Sequence, residues 1–184
     1  MAIFTIPKIP ILGSLADVIG RLVLQMNNLG PKELLNTSLL TDFEVSTNGQ
    51  AELIPIPDAA GDGYSVENGE IIPEKTKAVT LRAAINIYKT GGAEDDMRIW
   101  LMDDQGTITG DTVLRFFTDV NKYSNIERYS APVPLTAGRK YGFYMQRDSG
   151  QNIGIVTVPV SGVAPAIPSF SLVIHTLQTA DNPV

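Results

Sequence analysis

The most evident chemistry in this sequence belongs to a glycine-rich segment that holds several acids. Asp58, Asp62 and Glu67 follow one another there, and Glu70 comes next. Carboxylate oxygens at close spacing are the ligands that Ca²⁺ prefers. The spacing departs from the EF-hand loop, in which acids recur at every second position. We therefore interpret the segment as an acidic, solvated loop, keep a Ca²⁺ site as the alternative, and expect no cofactor.

Residue types that support other kinds of catalysis are scarce. The chain has no cysteine and a single histidine, His175. Thiolate chemistry and disulfides are excluded, and so is a histidine metal cluster within one chain, although an oligomer could bring copies of His175 together. The sequence contains no Gly-x-Ser-x-Gly, phosphate-binding or dinucleotide-binding motif. The remaining paired acids fall in predicted turns rather than across a cleft, so the sequence predicts a protein that is not an enzyme.

Aromatic residues at strand spacing suggest either a glycan-stacking platform or a core or subunit interface. The residues concerned are Tyr88, Trp100, Tyr123, Tyr129 and Tyr144. Trp100 alternates out of phase with Ile99 and Leu101 and shares its side of the strand with Arg98. We expect an interface or a partly covered surface at Trp100.

Composition sets the class of protein. The 184 residues are 43% hydrophobic and 18% charged, as in a folded chain, and the net charge is −6. An acidic chain has no general attraction to phosphate backbones, so we expect no nucleic-acid partner. No apolar stretch has the roughly 18 residues of a membrane span. The N-terminus lacks the basic region and small-residue cleavage site of a signal peptide, so we expect a soluble protein with an intact N-terminus.

The first 35 residues are predicted to form an N-terminal arm and helix that serve as an assembly anchor. Pro7 and Pro10 indicate an extended arm, and Ser14 has the character of an N-cap for an amphipathic helix that runs to Met26. Its apolar stripe packs either on the chain's own sheet or on a partner subunit or larger assembly. A membrane-surface helix is the weaker alternative, because Arg21 is its only cation. The predicted partner-binding residues are Ile3, Phe4, Ile6, Leu15, Ile19, Leu22 and Val23.

Residues 36–177 show period-two alternation and are predicted to form a β-sandwich, with 178–184 as a polar tail. Asn48-Gly49 predicts a hairpin between 43–46 and 51–56, and 57–77 a long loop. Further strands are predicted at 78–88, 97–102, 113–117, 127–135, 141–146, 153–160 and 170–175. About eight or nine strands without intervening helices predict an all-β, antiparallel, jelly-roll-like sandwich with Greek-key connections.

Residues 75–177 resemble the head domains of bacteriophage fibres and capsid decoration (cement) proteins, which are in turn similar to trimeric tumour-necrosis-factor-like heads. The segments that carry the resemblance are Ala78–Tyr88, Arg98–Gly106, Val133–Gly138, Tyr141–Met145 and Ser169–Ile174. The resemblance implies a jelly roll, a homotrimer, attachment to a virion through the N-terminus, and loops that contact capsid, host or glycan. The chain departs from a plain fibre stalk because it has no heptad or collagen-like repeat.

The functional expectation follows from the arm and the resemblance together. We expect a non-enzymatic virion structural protein, at the capsid surface or in the tail, that oligomerises and anchors through its N-terminal arm. A carbohydrate-binding, receptor-binding module is the alternative, and a metal-dependent adhesin that uses the segment from Asp58 to Glu70 is a third hypothesis.

Overall fold

The computed structural model describes residues 32–91, 97–109, 114–116, 123–147, 153–159 and 165–177. Glu33–Leu177 forms one unit, which begins three residues before the boundary predicted from the sequence. The predicted arm, helix, partner-binding residues and polar tail lie outside the described residues and stay predictions.

The described chain consists of strands and connections. In chain order the strands are β1 (Glu33–Leu39), β2 (Glu52–Leu53), β3 (Ala59–Ala60), β4 (Tyr64–Glu67), β5 (Glu70–Pro73), β6 (Lys77–Lys89), β7 (Met97–Asp103), β8 (Leu114–Phe116), β9 (Tyr123–Tyr129), β10 (Val133–Leu135), β11 (Tyr141–Arg147), β12 (Ile153–Ile155) and β13 (Phe170–Thr176). Every strand pairing is antiparallel.

Two sheets share these strands. The first is built on the long β6, which has β13 and β12 on one side and β10 and β9 on the other, with β1 beyond β13. The second has the order β3-β4-β5-β11-β7-β8, and β2 also pairs with β11. Because the chain moves repeatedly between the two sheets, first and last strands become neighbours. The body is therefore an all-β antiparallel sandwich of the jelly-roll type, and the fold prediction is confirmed.

Alternation along the strands builds the core. Leu81, Ile85 and Ile87 of β6 are buried from one sheet, and Ile99 and Leu101 of β7 from the other. Burying each such side chain stabilises the fold by about 1.5–3 kcal/mol relative to exposure. On the opposite faces of these two strands, Asn86 and Trp100 are buried as well, and the remaining side chains are half-buried or exposed.

The predicted hairpin at Asn48-Gly49 is wrong. Gly49 does occupy a turn, with φ of 75°. Phe43, before the turn, forms a bridge with Ile155, whereas β2, after the turn, pairs with β11 in the other sheet. The turn thus carries the chain from one sheet to the other, because a local Asn-Gly signal specifies a bend but not the strands that pair.

The long loop predicted for 57–77 is also wrong, since it contains β3, β4 and β5. Strands β4 and β5 form a two-residue hairpin, with positive φ at Asn68 (53°) and Gly69 (84°). Tyr64 and Val66 are buried in alternation. The predicted strand 127–135 is split, because β9 ends at Tyr129 and β10 begins at Val133.

Candidate interaction surface

The outer face of β6 and β9 brings together side chains that are far apart in the chain. Strand pairing sets Tyr88 opposite Tyr123 and Asn86 opposite Asn125. It also sets Ala84 opposite Glu127 and Arg82 opposite Tyr129. We call the outward side chains of these eight residues the tyrosine face.

At one end of the tyrosine face, the side chains are held by a contact between two rings and by a hydrogen bond between two amides. The rings of Tyr88 and Tyr123 lie with centroids 4.6 Å apart. Asn125 Nδ2 donates to Asn86 Oδ1 at 2.6 Å, and Asn86 Nδ2 donates to the Pro168 carbonyl at 2.7 Å. Asn86 is 2% exposed, so its hydrogen bonds satisfy a buried amide and fix the position of Asn125.

At the other end of the tyrosine face, the side chains are held by an ion pair beside an aromatic ring. Arg82 Nε donates to Glu127 Oε1 at 2.5 Å, and the Arg82 guanidinium carbon lies 5.8 Å from the centre of the Tyr129 ring. The hydrogen bond from Arg82 lowers the pKa of Glu127, and the same bond raises the pKa of Arg82. Both groups therefore stay charged at neutral pH and neutralise one another.

The tyrosine face is exposed and close to neutral. Tyr123 is 55% exposed and Tyr129 is 61% exposed, although large aromatic side chains gain most from burial. The only charges on this face are those of the paired Arg82 and Glu127. A neutral aromatic face on a chain of net charge −6 can contact a second copy without the repulsion that the rest of the chain would produce.

The acids of the predicted loop do not converge in the part of the chain that the structure describes. Asp58 Oδ1 accepts the backbone N–H of Asn68 at 2.8 Å, and Glu70 Oε2 accepts from Lys140 Nζ at 3.1 Å. Glu67 lies at the end of β4 and is exposed. No group of three histidine, aspartate or glutamate residues in the described ranges is arranged to hold a metal ion.

Trp100 lies on the outward side of β7, as its alternation predicted, but it is only 8% exposed. Trp100 is therefore not available to stack on a sugar, and the glycan-stacking platform suggested from the sequence cannot include this side chain, its largest aromatic. His175 lies on β13, paired with Thr80 and Glu33, and is half-buried.

The strand spacing of aromatic residues pointed to Tyr88, Tyr123 and Tyr129 but did not predict the contacts that join them to other residues. Arg82 and Glu127 are 45 positions apart, and Asn86 and Asn125 are 39 apart. No local pattern connects such residues, because the pairing of β6 with β9 alone brings them together.

The described carboxyl groups whose pKa is shifted all have a lowered pKa. Each accepts hydrogen bonds that hold a turn or join neighbouring segments of the chain. Asp103 Oδ1 accepts the backbone N–H groups of Thr107 (2.8 Å) and Gln105 (3.1 Å), and its Oδ2 accepts from Arg139. The bond from Thr107 is the main cause that lowers the pKa of Asp103. The bonds from Ser46 lower the pKa of Glu52 in the same way. Such carboxylates stabilise structure rather than donate protons at neutral pH.

Comparisons with known proteins give a structural likeness alone. No protein-family model matches this chain, and no curated protein matches it. Among solved structures, the Eiger TNF of S. frugiperda is similar with a TM-score of 0.40 and 14% identity, over 83% of this chain and 90% of the other. Among the described residues, no helix has the length and apolar character to cross a membrane.

Proposed function

We propose that this chain is a non-enzymatic virion structural protein, a capsid decoration (cement) or fibre-head subunit that self-associates as a homotrimer and attaches through its N-terminal arm. The single observation that carries self-association is the tyrosine face, with Tyr123 and Tyr129 more than half exposed. The virion setting and the trimer rest on the resemblance of residues 75–177 to phage head domains.

The proposal that the chain is not an enzyme rests on the carboxyl groups of the described residues. The shifted carboxyls in the described residues have lowered pKa values, and no group of three or more described acids or histidines is arranged to hold a metal ion. The tyrosine face has an aromatic and amide composition that suits a protein interface.

The molecular mass of the full chain in solution tests self-association. Light scattering should give a multiple of 19.9 kDa, three times that mass for the trimer. A mass of one chain at all concentrations up to about 100 μM would contradict the proposal, since a stable interface corresponds to a micromolar or tighter dissociation constant.

Attachment through the arm needs a separate measurement. Full-length protein and protein without residues 1–30 are mixed with phage particles that lack it and sedimented together. We expect the truncated protein to stay in the supernatant, and undiminished binding would exclude the arm as the anchor.

Carbohydrate binding is the second candidate, because two exposed tyrosine rings lie beside hydrogen-bonding side chains. Tyr123 has Asn125 as its neighbour on the same face, and Tyr129 has Arg82 and Glu127. Isothermal titration with simple sugars tests it. Heat of binding that disappears in Tyr129→Ala would favour the glycan module over self-association.

A further inference from the structure

The inner and outer directions of the β9 backbone follow from two hydrogen bonds. Ser130 N–H donates to the Leu81 carbonyl at 2.8 Å, so odd-numbered residues of β6 bond toward β9. Asn86 N–H donates to the Ser169 carbonyl at 2.9 Å, so even-numbered residues of β6 bond the opposite way. In antiparallel pairs that do not bond to each other, both backbones point outward. The residues of β9 that direct their N–H and C=O groups away from β6 are therefore Tyr123, Asn125, Glu127 and Tyr129.

This outer edge of β9 has no partner strand within the described ranges, where β9 pairs with β6 alone. The register of the pair runs through seven residues without a bulge, and β9 contains no proline. Proteins commonly protect such edges with bulges, prolines, charged side chains or a covering segment. Strand β9 carries two charged side chains, Glu127 and Arg128, and Glu127 is paired with Arg82. An edge of this length that no described segment covers can accept a further strand.

The edge of β1 shows how the same fold covers a free edge. Asp62 N–H donates to the Leu34 carbonyl at 2.7 Å, and Thr37 Oγ1 donates to the Pro57 carbonyl at 3.2 Å. The segment around β3 thus lies along β1. Strand β9 has no equivalent cover in the described chain, and Tyr123, Asn125, Glu127 and Tyr129 on its outer face are all exposed.

We propose that residues 2–6 of a second copy pair, as an added strand, with the edge of β9 that no described strand occupies. The segment Ala-Ile-Phe-Thr-Ile is uncharged, rich in strand-forming residues and free of proline until Pro7 ends it. In the added strand Thr5 lies opposite Glu127, so Ile3 and Thr5 border the tyrosine face, and Phe4 and Ile6 lie on the side of the half-buried Ile126.

The second copy is the occupant because the β9 edge borders the face proposed for self-association, so this inference rests on the proposed function. The arm carries one charged side chain, Lys8, and meets an acidic partner chain. The chain between Ile6 and Lys32 reaches up to about 85 Å when extended, enough to cross to a neighbouring subunit.

Engineered cysteines test the pairing, since the natural chain has none. Full-length Thr5→Cys and Glu127→Cys proteins, one carrying a size tag, are mixed and oxidised. We expect a disulfide-linked pair of unlike size, because cross-strand neighbours approach within disulfide range. The control replaces Glu127→Cys by Glu67→Cys, which lies in the other sheet and is also exposed.

The outcomes separate this inference from the proposed function. Crosslinking no greater than in the Glu67→Cys control, in a chain that light scattering still finds oligomeric, would overturn strand addition and leave self-association intact. A chain of monomeric mass would overturn both. In the double variant Thr5→Cys/Glu127→Cys, bonds within one chain alone would show that the arm pairs with its own β9 and would also overturn the inference.

A proline substitution gives a second readout. Glu127→Pro and Glu127→Ala both lose the ion pair with Arg82, but only proline removes the outward N–H at this position. We expect the dissociation constant of the oligomer to be about two- to tenfold higher in Glu127→Pro than in Glu127→Ala, as for one lost hydrogen bond. Equal dissociation constants in two variants with unchanged circular dichroism would contradict strand addition at this edge.

Discussion

Replacing Gly61 by alanine should damage the cover of the β1 edge more than its size suggests. A Cβ atom at Gly61 would overlap the Leu34 carbonyl oxygen and lie 3.0 Å from Leu35 Cα. Carbon and oxygen atoms normally approach to about 3.3 Å, so the strand and the covering segment must separate. Both obstacles are backbone atoms and cannot turn aside.

The expected cost combines two effects. Separation weakens the hydrogen bond from Asp62 N–H to the Leu34 carbonyl, which is worth about 1 kcal/mol. Overpacking that moves backbone adds about 1–3 kcal/mol. Gly61→Ala should therefore lower the free energy of unfolding by about 2–4 kcal/mol.

Gly63 supplies a matched control two residues away. Its φ is +77°, but an added Cβ would meet nothing within 4 Å. Gly63→Ala should therefore cost only the left-handed backbone strain, about 1–2 kcal/mol. Urea unfolding, followed by Trp100 fluorescence with unchanged dependence on denaturant, measures both variants. A loss in Gly61→Ala no larger than in Gly63→Ala would refute the steric argument.

Three further expectations concern the surface, a turn and the tryptophan. The double variant Tyr123→Ala/Tyr129→Ala should keep its melting temperature but lose self-association, because each ring that a partner buries contributes at most about 2–3 kcal/mol to association. Light scattering on dilution measures the mass of the variant, and a mass equal to that of the wild type would contradict the tyrosine face as the interface. Asp103→Asn should be less stable than wild type at pH 7. Because the folded pKa of Asp103 is lowered, that advantage is present above the ordinary value of about 4 and is lost as the pH falls through the folded value. The difference in the free energy of unfolding between the two proteins should therefore be smaller at pH 3 than at pH 7, and a difference that does not change with pH would exclude the carboxylate as the cause. Trp100, at 8% exposure, should resist quenching by iodide and respond little to sugars, whereas strong quenching would place it at the surface.

Local signals predicted the elements that carry their own pattern. The alternation of Leu81, Ala83 and Ile85 predicted β6, and that of Met97, Ile99 and Leu101 predicted β7. The alternating residues of each strand share one buried face, because burial of one face requires a period of two. The hairpin at Asn68-Gly69 carried an equally local signal, which the surrounding glycines and acids obscured.

Long-range pairing could not be predicted in the same way. Asn48-Gly49 indicated a turn, but the strands on either side pair with Ile155 and with β11, a choice made by the whole sandwich. Trp100 was assigned to the correct side of its strand, yet its burial depends on what covers that side. Alternation distinguishes two faces of a strand, but it does not identify which atoms lie beyond each face.

The sequence by itself determined an all-β body, because alternating apolar residues with turns between them can bury their surface only as packed sheets. It also excluded thiol chemistry and histidine clusters within one chain, since those residues are absent. Only the tertiary structure decided that Arg82 meets Glu127 and that Tyr88 meets Tyr123, beside a strand edge that no described strand occupies. The physical reason is that the alternation of inward and outward side chains depends on near neighbours in the chain. The partner across a sheet depends instead on the register and order of strands that come from distant parts of the chain.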